Sequence, residues 1–142
     1  MENLKFDILL TSTQWGKVPE FNIYIDDNLI EHASCNELHE SSFMHEIADG
    51  DHELRIELLN KTNDDCVQNA DKTEIIKDMQ LHVSNIKIDH IDLGIIRHTC
   101  STFVPKDPKQ HETLKECVDL GWNGTYILKF TSPFYIWLLE NM

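Results

Sequence analysis

Apolar and polar side chains alternate with period two along most of this chain, and no other feature constrains its fold as strongly. In Phe21-Asn22-Ile23-Tyr24-Ile25-Asp26, the residues Phe21, Ile23 and Ile25 share one face. In His52-Glu53-Leu54-Arg55-Ile56-Glu57-Leu58, the residues Leu54, Ile56 and Leu58 alternate with charge. An extended backbone points successive side chains to opposite faces, so such segments bury one face and wet the other. They are half-buried antiparallel strands. Residues 5–11 read the same way, with Phe6, Ile8 and Leu10 inward, and residues 126–130 (Tyr-Ile-Leu-Lys-Phe) add another strand. Residues 80–93 form a longer run whose phase slips between Val83 and Ile86 and again between Ile88 and Ile91. Each slip predicts a bulge, or a bend that carries the strand around a sheet edge.

The punctuation agrees. Asp26-Asp27-Asn28 joins two strand-like runs, and Ala48-Asp49-Gly50-Asp51 signals a hairpin, because glycine takes positive φ. Short strands between such clusters predict an all-β fold, an antiparallel β-sandwich of jelly-roll type. Residues 60–78 make a long polar connection, of a length that is usually functional or mobile in a compact domain. Residues 98–119 hold Pro105 and Pro108 and read as an irregular excursion with a short helix at 110–117. Ser132-Pro133 starts a short C-terminal helix or apolar extension, with the serine as cap and the proline at the first position. The Phe134-Tyr135-Ile136-Trp137-Leu138-Leu139 that follows is apolar on every side, so it needs burial all round or a partner.

Charge narrows the partners. In 142 residues, acids outnumber bases 25 to 12, a net charge of −13. Electrostatic binding of nucleic acid or of an anionic membrane needs basic surface, so neither partner is expected. No apolar run approaches the roughly 20 residues of a membrane helix. The first residues lack the basic and apolar regions of a secretory signal, so a cytoplasmic or particle-borne chain is expected. Cys35, Cys66, Cys100 and Cys117 show no Cys-x-x-Cys and read as reduced thiols. Residues 1–50 hold ten acids and two bases (−8), residues 51–94 ten and five (−5), and residues 95–142 five of each. Within one 142-residue domain, the acid excess thus ends at Gly94.

From about residue 6 to residue 94 the pattern resembles the calcium-dependent xylan-binding modules, carbohydrate-binding families 36 and 60. The segments that carry the resemblance are Gly50-Asp51-His52-Glu53-Leu54-Arg55-Ile56, then Asn60, then Asp78-Met79-Gln80-Leu81-His82-Val83, and Ile86-Lys87-Ile88 as closing strand. Residues 21–30 resemble the family's strand–turn–strand hairpin, with Asn28 where a glycine is typical. Lys61 stands where the family has a loop aspartate, and Met79-Gln80 where it has Arg-Asn. The ending, Leu120-Gly121-Trp122-Asn123-Gly124-Thr125 and Ser132-Pro133-Phe134-Tyr135-Ile136-Trp137, resembles small β-sandwich proteins of large tailed phages of marine bacteria. Together these resemblances imply a glycan-binding sandwich over residues 1–94. A 95–142 extension would pack on it or on a neighbour, in a virion or another assembly.

Candidate sites follow. Asn60, Asn63, Asp64, Asp65, Asn69, Asp71 and Asp78 offer hard oxygens, and calcium takes about 6–8 of these. The expected metal ligands are Asn60, Asp64, Asp65 and Asp78, with a solvated polar loop as the alternative. Sugars stack on rings, and Trp15, Tyr24 and Trp122 are the expected ligand-binding aromatics. The alternative is that Trp15 and Trp122 cap the ends of the sandwich core. His32, Cys35, His39 and His45 carry zinc-type donors without a zinc-type spacing. No nucleophile elbow, metalloprotease or phosphate-loop motif is present, so no catalytic residue is expected. The leading expectation is non-catalytic glycan binding through calcium, with protein or self contact through the 133–142 tail. A purely structural assembly protein is the alternative, and a small sugar-active enzyme a third.

Overall fold

The computed structural model describes residues 1–13, 18–61, 66–68, 75–107 and 112–142, with backbone alone for 66–68 and 75–78. Two antiparallel sheets face each other across one core, as the alternation demands. The first is built around β1 (Glu2–Thr13), which pairs with β4 (Leu38–Ile47) on one side and β8 (Gln80–Ile88) on the other. The short β12 (Asp119–Leu120) and β9 (Ile91–Asp92) add to β8. The second sheet runs in the order β11 (Leu114–Lys115), β10 (Ser101–Pro105), β13 (Gly124–Ser132), β5 (Gly50–Leu58), β2 (Glu20–Ile25) and β3 (Asn28–Ser34).

The core is the set of inward positions read from period two. Phe6, Ile8 and Leu10 of β1 meet Phe21, Ile23 and Ile25 of β2, Leu54, Ile56 and Leu58 of β5, and Tyr126, Leu128 and Phe130 of β13. All are buried, each worth about 1.5–3 kcal/mol relative to exposure. Burial pushes the Tyr126 phenol above its usual value, and its hydroxyl donates to the Arg97 carbonyl.

Both phase slips in 80–93 have a structural cause, and only the first is the expected kind. Leu9 pairs with Asn85 but Leu10 with Val83, so Ser84 is the extra residue of a bulge. At the second, Asp89 and His90 take φ of 52° and 66° and close a two-residue hairpin to β9, rather than a bend around the edge. Such a mirror-type turn matches the strand twist.

Other expectations are corrected. Ala48-Asp49-Gly50-Asp51 is no hairpin, because β4 and β5 lie in different sheets and the segment is a corner between them. Residues 60–78 are not all loop, since β6 (Cys66–Gln68) and β7 (Ile75–Asp78) pair as a ribbon. In 98–119 the described residues hold the strands β10, β11 and β12; residues 110 and 111 of the expected helix lie outside the described residues, 112–117 are not helical, and the short helix is α1 (Ile96–Thr99). The residues after Gly94 do not pack on a finished module. They supply β10 and β13 to the second sheet and β12 to the first, so the two parts interleave.

The C-terminal helix α2 (Phe134–Asn141) forms, but Ser132 does not cap it. Pro133 holds the cap position, and the carboxylate of Glu2 accepts the Phe134 N–H and the Ser132 hydroxyl, both at 2.8 Å. Phe134, Trp137 and Leu138 are buried, while Tyr135, Ile136, Leu139 and Met142 are exposed. The tail is therefore half core and half surface. No helix of the described residues is long and apolar enough to cross a membrane.

Candidate functional site

β5 and β13 run side by side with opposite sense, so residues just after β5 and just before β13 meet at one end of the sandwich. The sequence separates Asn60 from Trp122, and the ladder brings their loops together.

Asn60 extends the β2–β5 ladder with its side chain. Its Oδ1 accepts the Glu20 N–H at 2.8 Å and its Nδ2 donates to the Val18 carbonyl at 2.9 Å. The amide thus fastens the chain where it emerges from residues 14–17. Asn123 works the same way on the other side. Its Oδ1 accepts the Lys61 N–H at 2.7 Å, its Nδ2 donates to the Lys61 carbonyl at 2.8 Å, and its own carbonyl accepts the Lys106 N–H at 2.9 Å. One residue thus ties three segments, to Lys61 through its carboxamide and to Lys106 through its main chain.

Lys61 is only 4% exposed. Its ammonium donates to the Gly121 carbonyl and lies 5.6 Å from the centroid of the Trp122 ring, within cation–π range. Gly124 lets β13 approach β10 closely, because a Cβ there would stand 2.5 Å from the Val104 carbonyl oxygen and 2.8 Å from Pro105 Cα. The Gly-Trp-Asn-Gly turn is therefore tightly packed at its end, and Trp122 sits half-buried on it.

The expected site residues divide as follows. Asn60 and Trp122 are gathered at this loop end with Lys61 and Asn123. Asp78 ends β7, backbone-paired with Cys66, one residue before the fully buried Met79. Trp15, Asp64 and Asp65, and the side chain of Asp78, lie outside the described residues. Tyr24 stands apart in β2, where its hydroxyl accepts from Asn22 at 3.0 Å and donates to Glu57 at 3.4 Å. His32, Cys35, His39 and His45 lie on and between β3 and β4, not on a helix face. His32 bonds Asn22, His39 bonds Glu31, and Cys35 is buried as a free thiol.

The described part of the loop end does not fit a hard divalent cation. No group of three or more His, Cys, Asp and Glu side chains among the described residues is placed to hold a metal ion. The Asn60 oxygen already serves Glu20, and the adjacent residue brings a positive charge.

The opposite end of the same ladder holds a cleft of about 570 Å³ that the sequence did not announce. Phe130 and Trp137 line it, with Asp26, Asp27, His52 and Arg55 around them. His52 Nδ1 bonds Asp26 Oδ2 at 2.7 Å, and its Nε2 bonds the Ala48 carbonyl at 2.5 Å. Both ring nitrogens face acceptors, an arrangement only the imidazolium satisfies fully. Burial pushes the His52 pKa down, but the bonds to Asp26 and Ala48 and the charges of Asp26 and Asp51 outweigh it and hold it above the usual value. Burial pushes Asp26 up, but His52, the Glu53 N–H and Arg55 outweigh it and hold it below the usual value. Arg55 bonds Glu53 at 2.7 Å and Asp27 at 3.2 Å. The signal available in the sequence was Trp137 in the apolar tail, which read as an interface.

Comparison with known proteins supports the fold. No protein-family model matches the chain, and no curated protein matches it. Among solved structures, a selenomethionine form of vCBM60 superposes with a TM-score of 0.55 at 9% identity, over 88% of this chain and 89% of that one. It is described within two families of calcium-dependent carbohydrate-binding modules linked by circular permutation. vCBM60 in complex with galactobiose gives 0.56 at 8% identity, over 87% and 96%. At these identities the likeness is one of fold: this chain is a β-sandwich of the kind seen in carbohydrate-binding modules.

Proposed function

We propose that this chain is a non-catalytic glycan-binding module whose saccharide site is the loop end of the sandwich. One observation carries the reading: Trp122 stands beside the buried Lys61 ammonium on a turn that Asn123 ties to the Lys61 main chain, at the end where the polar 60–78 connection leaves the sheet. An indole beside fixed polar groups suits a sugar, whose C–H face stacks while its hydroxyls exchange hydrogen bonds. The shared fold with vCBM60, which takes galactobiose, supports the same class. Trp15, Asp64, Asp65 and Asp78 belong to this site in the proposal. Calcium would be held by Asp64, Asp65 and Asp78 if it enters, since the described side chains offer it no seat.

The test is calorimetric titration with neutral oligosaccharides, galactobiose and xylo-oligosaccharides first. Saturable heat that disappears in Trp122→Ala, with the circular dichroism of the sheet unchanged, is expected. Silence across a full neutral-glycan array overturns the reading.

A second reading has its own observation. The outward row of α2 exposes Tyr135, Ile136 and Leu139 at 50%, 55% and 72%, and Met142 just beyond it is 83% exposed. Apolar surface concentrated on one short helix favours contact with protein, as in an assembly component or virion. The double variant Ile136→Glu, Leu139→Glu leaves the buried side of α2 intact. If sedimentation shows an oligomer that this variant dissolves, the structural reading gains. A wild-type chain that is already monomeric at high concentration removes self-association from it.

A further inference from the structure

We infer that the Lys61 ammonium is the resident cation of the loop end, and that this chain needs no calcium there. The inference deepens the reading of the loop end as the saccharide site, but its test involves no sugar.

Four observations carry it. Lysine is almost never fully buried unless paired, yet Lys61 is 4% exposed. Two of its contacts are of the kind a bound cation takes: the Gly121 carbonyl oxygen, a hard donor of the type calcium uses, and the face of the Trp122 ring. Its root is fixed, because Asn123 occupies both the N–H and the carbonyl of Lys61 with bonds of 2.7 and 2.8 Å. With that root fixed, the buried stem delivers the ammonium to the Gly121 carbonyl. Finally, Lys61 opens the most oxygen-rich connection of the chain. Residues 62–78 hold five acids (Asp64, Asp65, Asp71, Glu74 and Asp78) against Lys72 and Lys77, a balance of −3. A positive charge fixed at Lys61 repels a divalent ion that would settle beside it.

The structural neighbours are calcium-dependent by description, so the two schemes part at this residue. In this chain the charge is covalent. It cannot be chelated, diluted or exchanged.

The experiment is thermal unfolding of the full chain at neutral pH, in millimolar calcium and in excess chelator. A ligand that binds only the native state must raise the midpoint. The two wild-type midpoints are expected to agree within about 1 °C, and Lys61→Met, which keeps the stem and removes the charge, to melt about 5 °C lower. A wild-type midpoint that climbs saturably with calcium and falls in chelator overturns the inference. So does a Lys61→Met chain as stable as the wild type. Should that variant fail to fold, the wild-type pair still decides. Equal wild-type midpoints beside a silent glycan array would leave the resident cation standing and remove the saccharide reading.

Discussion

The two ends of the β5–β13 ladder are closed by different chemistry. At the loop end, two neutral carboxamides, Asn60 and Asn123, bond main-chain groups of neighbouring segments, and one lysine is sealed beneath an indole. At the corner end the closure is ionic and aromatic. Asp26 holds His52, Glu2 holds the start of α2, and Phe130, Phe134 and Trp137 pack with ring centroids 5.9–6.3 Å apart. Amides do not titrate and carboxylate–imidazolium pairs do. The Asn60 and Asn123 clamps are therefore indifferent to pH where the Asp26–His52 pair is not, although both stabilise the same two strands.

Removing the aromatic packing tests how much the corner end holds. Phe134→Ala empties a fully buried site and should cost about 3–5 kcal/mol in urea unfolding. For the same reason, deleting 133–142 removes core as well as surface and should destabilise the chain rather than merely uncover an interface. At the loop end, Gly124→Ala puts a methyl against the β10 backbone and should cost about 1–3 kcal/mol by the same measurement. A variant as stable as the parent would mean that β10 yields. Asn123→Ala strips both main-chain groups of Lys61 of their partner and should also cost about 1–3 kcal/mol, equally at pH 5 and pH 8. A cost that varies with pH would blur the contrast between the ends. Glu2→Ala should cost about 1 kcal/mol, with faster hydrogen exchange at the Phe134 amide and none of that change at Lys61.

The smallest effect is the most specific. His52 is raised above its ordinary value of 6.5, so its contribution is full below that value and fades as pH rises through the higher folded value. Asp26 is lowered below its ordinary 3.8, so its contribution is full above that value and fades as pH falls through the lower folded one. The pair thus stabilises most across the acidic range between these values. Wild type minus His52→Gln, followed as a melting midpoint against pH, should be a plateau that declines on the alkaline side. A flat difference through pH 9 would show that the imidazolium is not what holds the corner.

Much of the fold was legible because it is local. Leu54, Ile56 and Leu58 announce an inward face without reference to any other strand, and the slip at Ser84 announces a bulge. The corner at residues 48–51 departs from the expected hairpin because Asp-Gly chemistry fixes a turn but not which sheet the next strand joins. The first site was half legible. Asn60 and Trp122 are conspicuous in the sequence as polar and aromatic loop residues, but nothing local shows that Asn60 clamps Val18 and Glu20. Lys61 was visible only as a departure from a pattern, and nothing local says that a lysine will be buried. The corner cleft was illegible, since Trp137 and His52 lie 85 residues apart by their numbers.

By itself, the sequence determined which residues face inward and that the chain is all β, because period two is written within each strand. Only the tertiary structure decided that residues after Gly94 supply β13, the strand beside β5, and so placed Asn123 on Lys61 across 62 residues of chain. Strand pairing is non-local: each edge offers the same row of N–H and C=O groups, and the choice among partners rests on the packing of the whole core.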